Sequence, residues 1–189
     1  MLLVITALLA AAGQAPPSAE IVSEFTRVCV APKSLREIND ALVQDEWVAF
    51  IPVPESTLAR IIDAVRPMLK AQGIASNYKS YARQIGPRHV ELAVSETSNA
   101  ITSGRKLIGC NMYDFAGRVA IDPKELAAAT NGISEKSSEY AGMKIMEWKN
   151  PFGPGSGMRA VFMPQQSEFA KQAGFTGMML GTHFLDGVK

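Results

Sequence analysis

Hydrophobic side chains return along this chain in two rhythms. In the first third they recur every three to four residues, the period of a helix with one buried face. Ile21, Phe25 and Cys29 stand four apart with Val22 and Val28 beside them, which predicts a helix carrying Cys29 on its buried stripe and stopped by Pro32. Ser34-Leu35-Arg36-Glu37 has the form of a capping box, and Leu35, Ile38 and Leu42 extend it into a second helix. Leu58, Ile61, Ile62, Val65 and Leu69 mark a third helix opening at Ser56, with Pro67 expected to kink it or end it early and Gly73 to stop it. Between these, the apolar run Trp47–Ile51 ends at Pro52 and Pro54 and fits an edge strand or a packed loop equally well. Residues 74–87 have weak periodicity, with room for a short helix around Tyr78–Gln84 before Gly86-Pro87.

The second rhythm is alternation. Val90, Leu92 and Val94 alternate with His89, Glu91 and Ser95, and Ile108, Cys110 and Met112 alternate with Leu107, Gly109, Asn111 and Tyr113. These are two half-buried strands, read as an antiparallel hairpin closed by the polar loop Thr97–Gly104. Asp122-Pro123-Lys124-Glu125 starts a helix that runs to Ala129 and ends at Asn131-Gly132. Met143–Lys149 and Met158–Met163 are strands on either side of a Pro/Gly loop, Ser167–Ala173 is a short helix closed by Gly174, and Phe175–Leu185 is the last strand. Helices first and hairpins afterwards give an α+β fold, with N-terminal helices packed on a mainly antiparallel sheet of about five strands. No linker divides residues 16–189, so they are read as one domain.

The opening MLLVITALLAAA has no charged side chain and falls short of the roughly 20 apolar residues that a spanning helix needs. Small residues at Gly13 and Ala15, followed by Pro16-Pro17, suit cleavage after Ala15, so residues 1–15 read as a signal peptide, although Lys and Arg are missing from its start. No later stretch approaches spanning length, which leaves no transmembrane anchor after cleavage and places the mature chain in the periplasm or outside the cell. In that setting Cys29 and Cys110, the two cysteines of the chain, have one intramolecular pairing open to them. The bridge would close a loop of about 80 residues and fasten the first helix to the core face of the sheet. No C-x-x-C occurs, so a stabilising role outweighs a redox one.

Charge narrows the partners. Nineteen basic against eighteen acidic residues give a net +1, which supplies no electrostatic case for nucleic acid or an anionic membrane. Chemistry is sparse. His89 and His183 are the two histidines, and His89, Glu91 and His183 could meet on one sheet face as a metal site or an acid–base group if their strands are near neighbours. Neither histidine sits in a ligand spacing, so two ordinary surface or half-buried side chains are the simpler reading. Ser156 stands in Gly155-Ser156-Gly157, which lacks the G-x-S-x-G elbow, and a nucleophilic role would need a histidine such as His183 at hand. Asp114 and Asp122 suit turns, and Glu91, Asp114, Glu147 and Asp186 are too scattered to nominate a glycosidase pair. Met143, Met146, Met178 and Met179 fit flexible core filling better than a copper site. Trp148 and Phe152 flank the Pro/Gly loop and, if exposed, would form a partner patch.

The run Gly109-Cys110-Asn111-Met112-Tyr113-Asp114-Phe115, followed by Asp122-Pro123 and preceded by Cys29, resembles small exported proteins of Gram-negative bacteria with no assigned function. The resemblance implies a periplasmic or secreted setting and no reaction or ligand. Together these readings anticipate a non-enzymatic binding or interaction module for a protein or small-molecule ligand, with no cofactor. The alternative is a small periplasmic hydrolase or metal-assisted enzyme using His89, Glu91 and His183, with Ser156 as a further candidate.

Overall fold

A computed structural model describes residues 17–98, 105–127, 129–130 and 136–186. The predicted signal peptide, most of the Thr97–Gly104 loop and the Asn131-Gly132 helix end lie outside those residues. The first helix, α1 (Pro17–Phe25), continues into a π-helical turn, Thr26–Val30. Strict 3.6-residue periodicity would bury every third or fourth position; the wider turn buries Val28, Cys29 and Val30 in succession. α2 (Leu35–Gln44) follows, capped as its sequence predicts: the Ser34 hydroxyl accepts from the Glu37 amide, and the Glu37 carboxylate accepts from the Lys33 amide at 2.8 Å. α3 (Thr57–Ala71) passes through Pro67 without ending there; Pro67 is on its exposed side, where its missing N–H is tolerated. A short α4 (Glu168–Ala173) has Ser167 as N-cap and Gly174, at φ 70°, as the left-handed residue after its last turn.

Eight strands form one antiparallel sheet: β1 (Val48–Phe50), β2 (Ala75–Ile85), β3 (Arg88–Ser98), β4 (Lys106–Asp114), β5 (Lys136–Tyr140), β6 (Met143–Lys149), β7 (Gly157–Met163) and β8 (Gly177–Leu185). Their order across the sheet is β1-β2-β3-β4-β8-β7-β6-β5. Each half is a four-stranded meander with a helix inserted, α3 between β1 and β2 and α4 between β7 and β8, and the halves join through their last strands, β4 and β8.

The five strands expected from alternation are β3, β4, β6, β7 and β8; three more correct that count. β1 resolves the Trp47–Ile51 ambiguity as an edge strand. β2 replaces the short helix considered around Tyr78–Gln84, because Gly86-Pro87 turns it straight into β3, Gly86 holding the positive φ of 52° that a two-residue hairpin needs at its first position. β5 is exposed at every position, so no apolar rhythm marks it. The helix expected from Asp122 is a four-residue 3₁₀ turn, Pro123–Leu126, with the Asp122 carboxylate accepting from the Lys124 amide.

The sheet's two faces differ. The covered face carries Val90, Leu92 and Val94 of β3, Ile108, Cys110 and Met112 of β4, Met178, Leu180 and Phe184 of β8, Met158 and Ala160 of β7, and Met146 and Trp148 of β6. α1, the π turn and α2 lie on it with Ile21, Phe25, Val28, Ile38 and Leu42, all nearly inaccessible. The Cys29–Cys110 disulfide crosses this layer, with its Cα atoms 5.5 Å apart. Both cysteines are fully buried, so the bridge ties helix to sheet as the apolar stripes anticipate. At the rim, the buried Glu24 carboxylate accepts from Trp47 Nε1 and Arg83 Nη1, each at 2.7 Å, and pairs with Arg27. Burial alone would raise this carboxyl, but the Trp47 hydrogen bond, Arg27 and Arg83 outweigh it and hold it below the ordinary value. Among the described residues no helix is long and apolar enough to cross a membrane.

Candidate functional site

The opposite face is where polar chemistry collects. α3 covers part of it: Leu58 and Ile62 pack on Ala93 and Tyr113, with Tyr78 and Met179 at the border. Beyond that border three strands repeat one short pattern, glycine followed two residues later by a polar side chain: Gly109–Asn111 on β4, Gly157–Arg159 on β7 and Gly181–His183 on β8. Residues two apart share a face. Antiparallel register sets Gly109 and Gly157 on either side of His183, and Asn111 and Arg159 on either side of Gly181. The result is a checkerboard in which each polar side chain has a glycine beside it on the adjacent strand.

The glycines are occupied space. A Cβ on Gly157 would lie 2.7 Å from His183 Nε2 and closer still to the ring carbon Cε1. One on Gly181 would collide with Asn111 Oδ1 and come 3.6 Å from Arg159 Cγ, and one on Gly109 would sit 2.5 Å from Ser95 Oγ. So the imidazole, the amide, the hydroxyl and the arginine stem lie down over bare backbone rather than standing off the sheet. Ser95 belongs to the group because it pairs with Gly109.

Electrostatics shows how the cluster is arranged. Glu147 stands directly opposite Arg159 on β6, yet the two form no ion pair among the described residues. Arg159 instead leans across Gly181, and its charge is felt by both His183 and Tyr113. Burial, and then Arg159, lower the His183 pKa, which keeps the ring neutral at physiological pH. Burial foremost, with Tyr78 adding to it and Arg159 opposing it, pushes the Tyr113 hydroxyl well above its ordinary value, so it stays protonated and able to donate. The side chains of Ser95, Asn111, Arg159 and His183 have no hydrogen-bond or ion-pair partner among the described residues. Open hydrogen-bonding capacity on a flattened surface is what a ligand can use.

The residues singled out from sequence are distributed differently. His89, Glu91 and His183 do share this face, and β3 and β8 both flank β4. The register keeps them apart, however. His183 pairs with Gly109, Gly109 with Ser95, and Ser95 lies six residues beyond His89, about 20 Å along the strand. His89 and Glu91 remain a pair, with Nε2 to Oε1 at 3.7 Å and His89 largely exposed. Burial raises the Glu91 carboxyl above its ordinary value, with His89 opposing, and Glu91 Oε2 is buried without a hydrogen-bond partner. The Ser156 hydroxyl is spent within its own loop, donating to Gly153 O at 2.7 Å and accepting from the Phe152 amide at 3.0 Å. Trp148 is 3% exposed and Phe152 is half-buried against the core, so the patch expected there is turned inward: Trp148 faces the covered side, paired with Met158. Asp114 and Asp122 hold turns as expected, Asp114 accepting from the Ala116 amide. Met146 and Met178 fill the core. Among the described residues no group of three or more His, Cys, Asp or Glu could hold a metal ion.

Sequence reasoning missed Ser95, Asn111, Arg159 and the three glycines. The signal was the thrice-repeated G-x-polar step, which acquires meaning only when register sets the steps side by side. In comparisons with known proteins the chain matches no family, no curated protein and no solved structure.

Proposed function

We propose that this is an exported binding module, working in the periplasm or outside the cell, whose ligand lies on the glycine-floored face around Asn111, Arg159 and His183. The observation that carries the reading is the checkerboard: four polar side chains, without hydrogen-bond or ion-pair partners among the described residues, laid flat over glycines on adjacent strands. Stability does not ask for this arrangement, since glycine weakens a strand and an unpaired polar group gains nothing. A fully buried disulfide points to a non-reducing, extracytoplasmic compartment. The signal-peptide reading of residues 1–15 and the resemblance to small exported Gram-negative proteins agree with it. The enzymatic alternative on His89, Glu91 and His183, with Ser156, ranks second, because the register sets the two histidines about 20 Å apart along the strands and the Ser156 hydroxyl is engaged in its own turn.

The test is native mass spectrometry of the full chain expressed with its N-terminus intact and recovered from the envelope fraction. The mature mass should begin at Pro16 and carry an adduct that Asn111→Ala/Arg159→Gln loses. An adduct retained by that variant would overturn the assignment of the face. Recovery from the cytosol with residues 1–15 in place would overturn the compartment.

A further inference from the structure

The checkerboard also indicates what kind of ligand group it takes. Arg159 is the one cation of the pattern, and it is turned away from the carboxylate directly across the strand. A surface arginine with Glu147 as its cross-strand neighbour would normally use that pairing. Here the stem runs over Gly181 toward β4, where Asn111 turns its side-chain oxygen onto Gly181 and the Tyr113 hydroxyl, which feels the Arg159 charge, lies one row further along. Tyr78 and Ser95, paired with each other across β2 and β3, add two hydroxyls at the edge toward α3. A guanidinium with hydrogen-bond donors converging on it and its natural counter-ion left aside is arranged for an acceptor-rich negative group.

We infer that the face binds an oxyanion, a carboxylate or phosphate group, held by Arg159 with the neighbouring hydroxyls donating to its oxygens. The glycine floor serves this role physically. Bare backbone at Gly181 lets Arg159 and Asn111 approach one another across an intervening strand, a span that any side chain at that position would block. Lys149, opposite Gly157, adds a second positive charge to the same side of the sheet, while Glu147 lies beyond Arg159, away from Gly181. His183, neutral over Gly157, contributes a polar edge without competing for the anion's charge.

This inference rests on the binding-face reading, and one titration separates the two. Phosphate, acetate and, as an uncharged control, glucose are added to the full mature chain at constant ionic strength, and the backbone amide signals of Gly109, Gly157 and Gly181 are followed by NMR. Phosphate or acetate should move these three signals saturably with a shared affinity. Arg159→Gln should weaken that affinity about tenfold or more, and Arg159→Lys should restore part of it. Saturable shifts that Arg159→Gln leaves unchanged would overturn the inference. Signals indifferent to both anions yet moved by glucose would overturn the anion while leaving the binding face standing. Signals indifferent to all three probes, in a protein that also carries no adduct from the envelope, would overturn both.

Discussion

The two faces of one sheet make opposite use of the same backbone. On the covered face most alternate positions are large and apolar, the exceptions being Ala160 and the buried Thr182, and a helical layer with a covalent tie rests on them. On the open face, over two adjoining rows of the same three strands, the positions are glycine or polar and the polar side chains lie down over the glycines. β4 shows the contrast within nine residues: Ile108, Cys110 and Met112 point into the core while Gly109 and Asn111 form the floor of the other side. Strands that serve stability with one face are free to give up side chains on the other. A polar surface can then be built on paired strands rather than on loops.

Breaking the covered face should cost most. Phe25→Ala removes a fully buried ring beneath the helical layer and should destabilise the protein by about 3–5 kcal/mol in urea unfolding. Reduction, or Cys29→Ala/Cys110→Ala, should follow at about 2–4 kcal/mol because the bridge spans 81 residues of chain. In a thermal melt that corresponds to a fall of about 5–15 °C, and an unchanged melting point would mean that packing alone holds α1 in place.

The open face should respond in a different way. Gly157→Ala puts a methyl group into the His183 ring and should cost about 1–3 kcal/mol. His183→Ala on its own should cost little, and Gly157→Ala should become mild in that background. The coupling measured by this cycle, about 1–2 kcal/mol, is the strain of ring against methyl. Additive effects would show that the ring does not depend on the glycine.

Acid should separate the faces as well, with smaller effects and in two windows. His183 has a folded pKa below its ordinary 6.5, so its contribution is complete above that value and is lost as pH falls through the lower folded one. Glu24 has a folded pKa below its ordinary 4.5, so its contribution holds until pH drops under that value and then disappears. Stability measured against pH should therefore show a first decline below 6.5 that His183→Ala abolishes, and a later one below 4.5 that it leaves intact.

How far each face could be read from sequence follows from the same contrast. Burial writes itself into hydrophobic spacing, so β3, β4, β6, β7 and β8, the α2 cap and the placement of the disulfide were legible. β2 was not. Lys79, Tyr81 and Arg83 point to the helical side and Tyr78, Ser80 and Ala82 to the α3 side, so neither face is apolar enough to set a rhythm. β5 buries nothing and left no trace. The open face was hidden for a further reason. A glycine two residues before a polar side chain is unremarkable on any single strand, and the pairing of three such steps is decided by register. That register is matched by apolar pairings on the opposite face, Ile108 with Phe184 and Met112 with Leu180. For the same reason His89 and His183 could be assigned to one face from alternation, but not to opposite ends of it.

Urea unfolding of Asn111→Ala/Arg159→Ala most directly tests the claim that the covered face carries stability and the open face function. These two side chains have no hydrogen-bond or ion-pair partner among the described residues, so the account predicts a stability within about 0.5 kcal/mol of the parent for each change. A combined loss above about 2 kcal/mol would show that the checkerboard is part of the structural scaffold and would contradict the account.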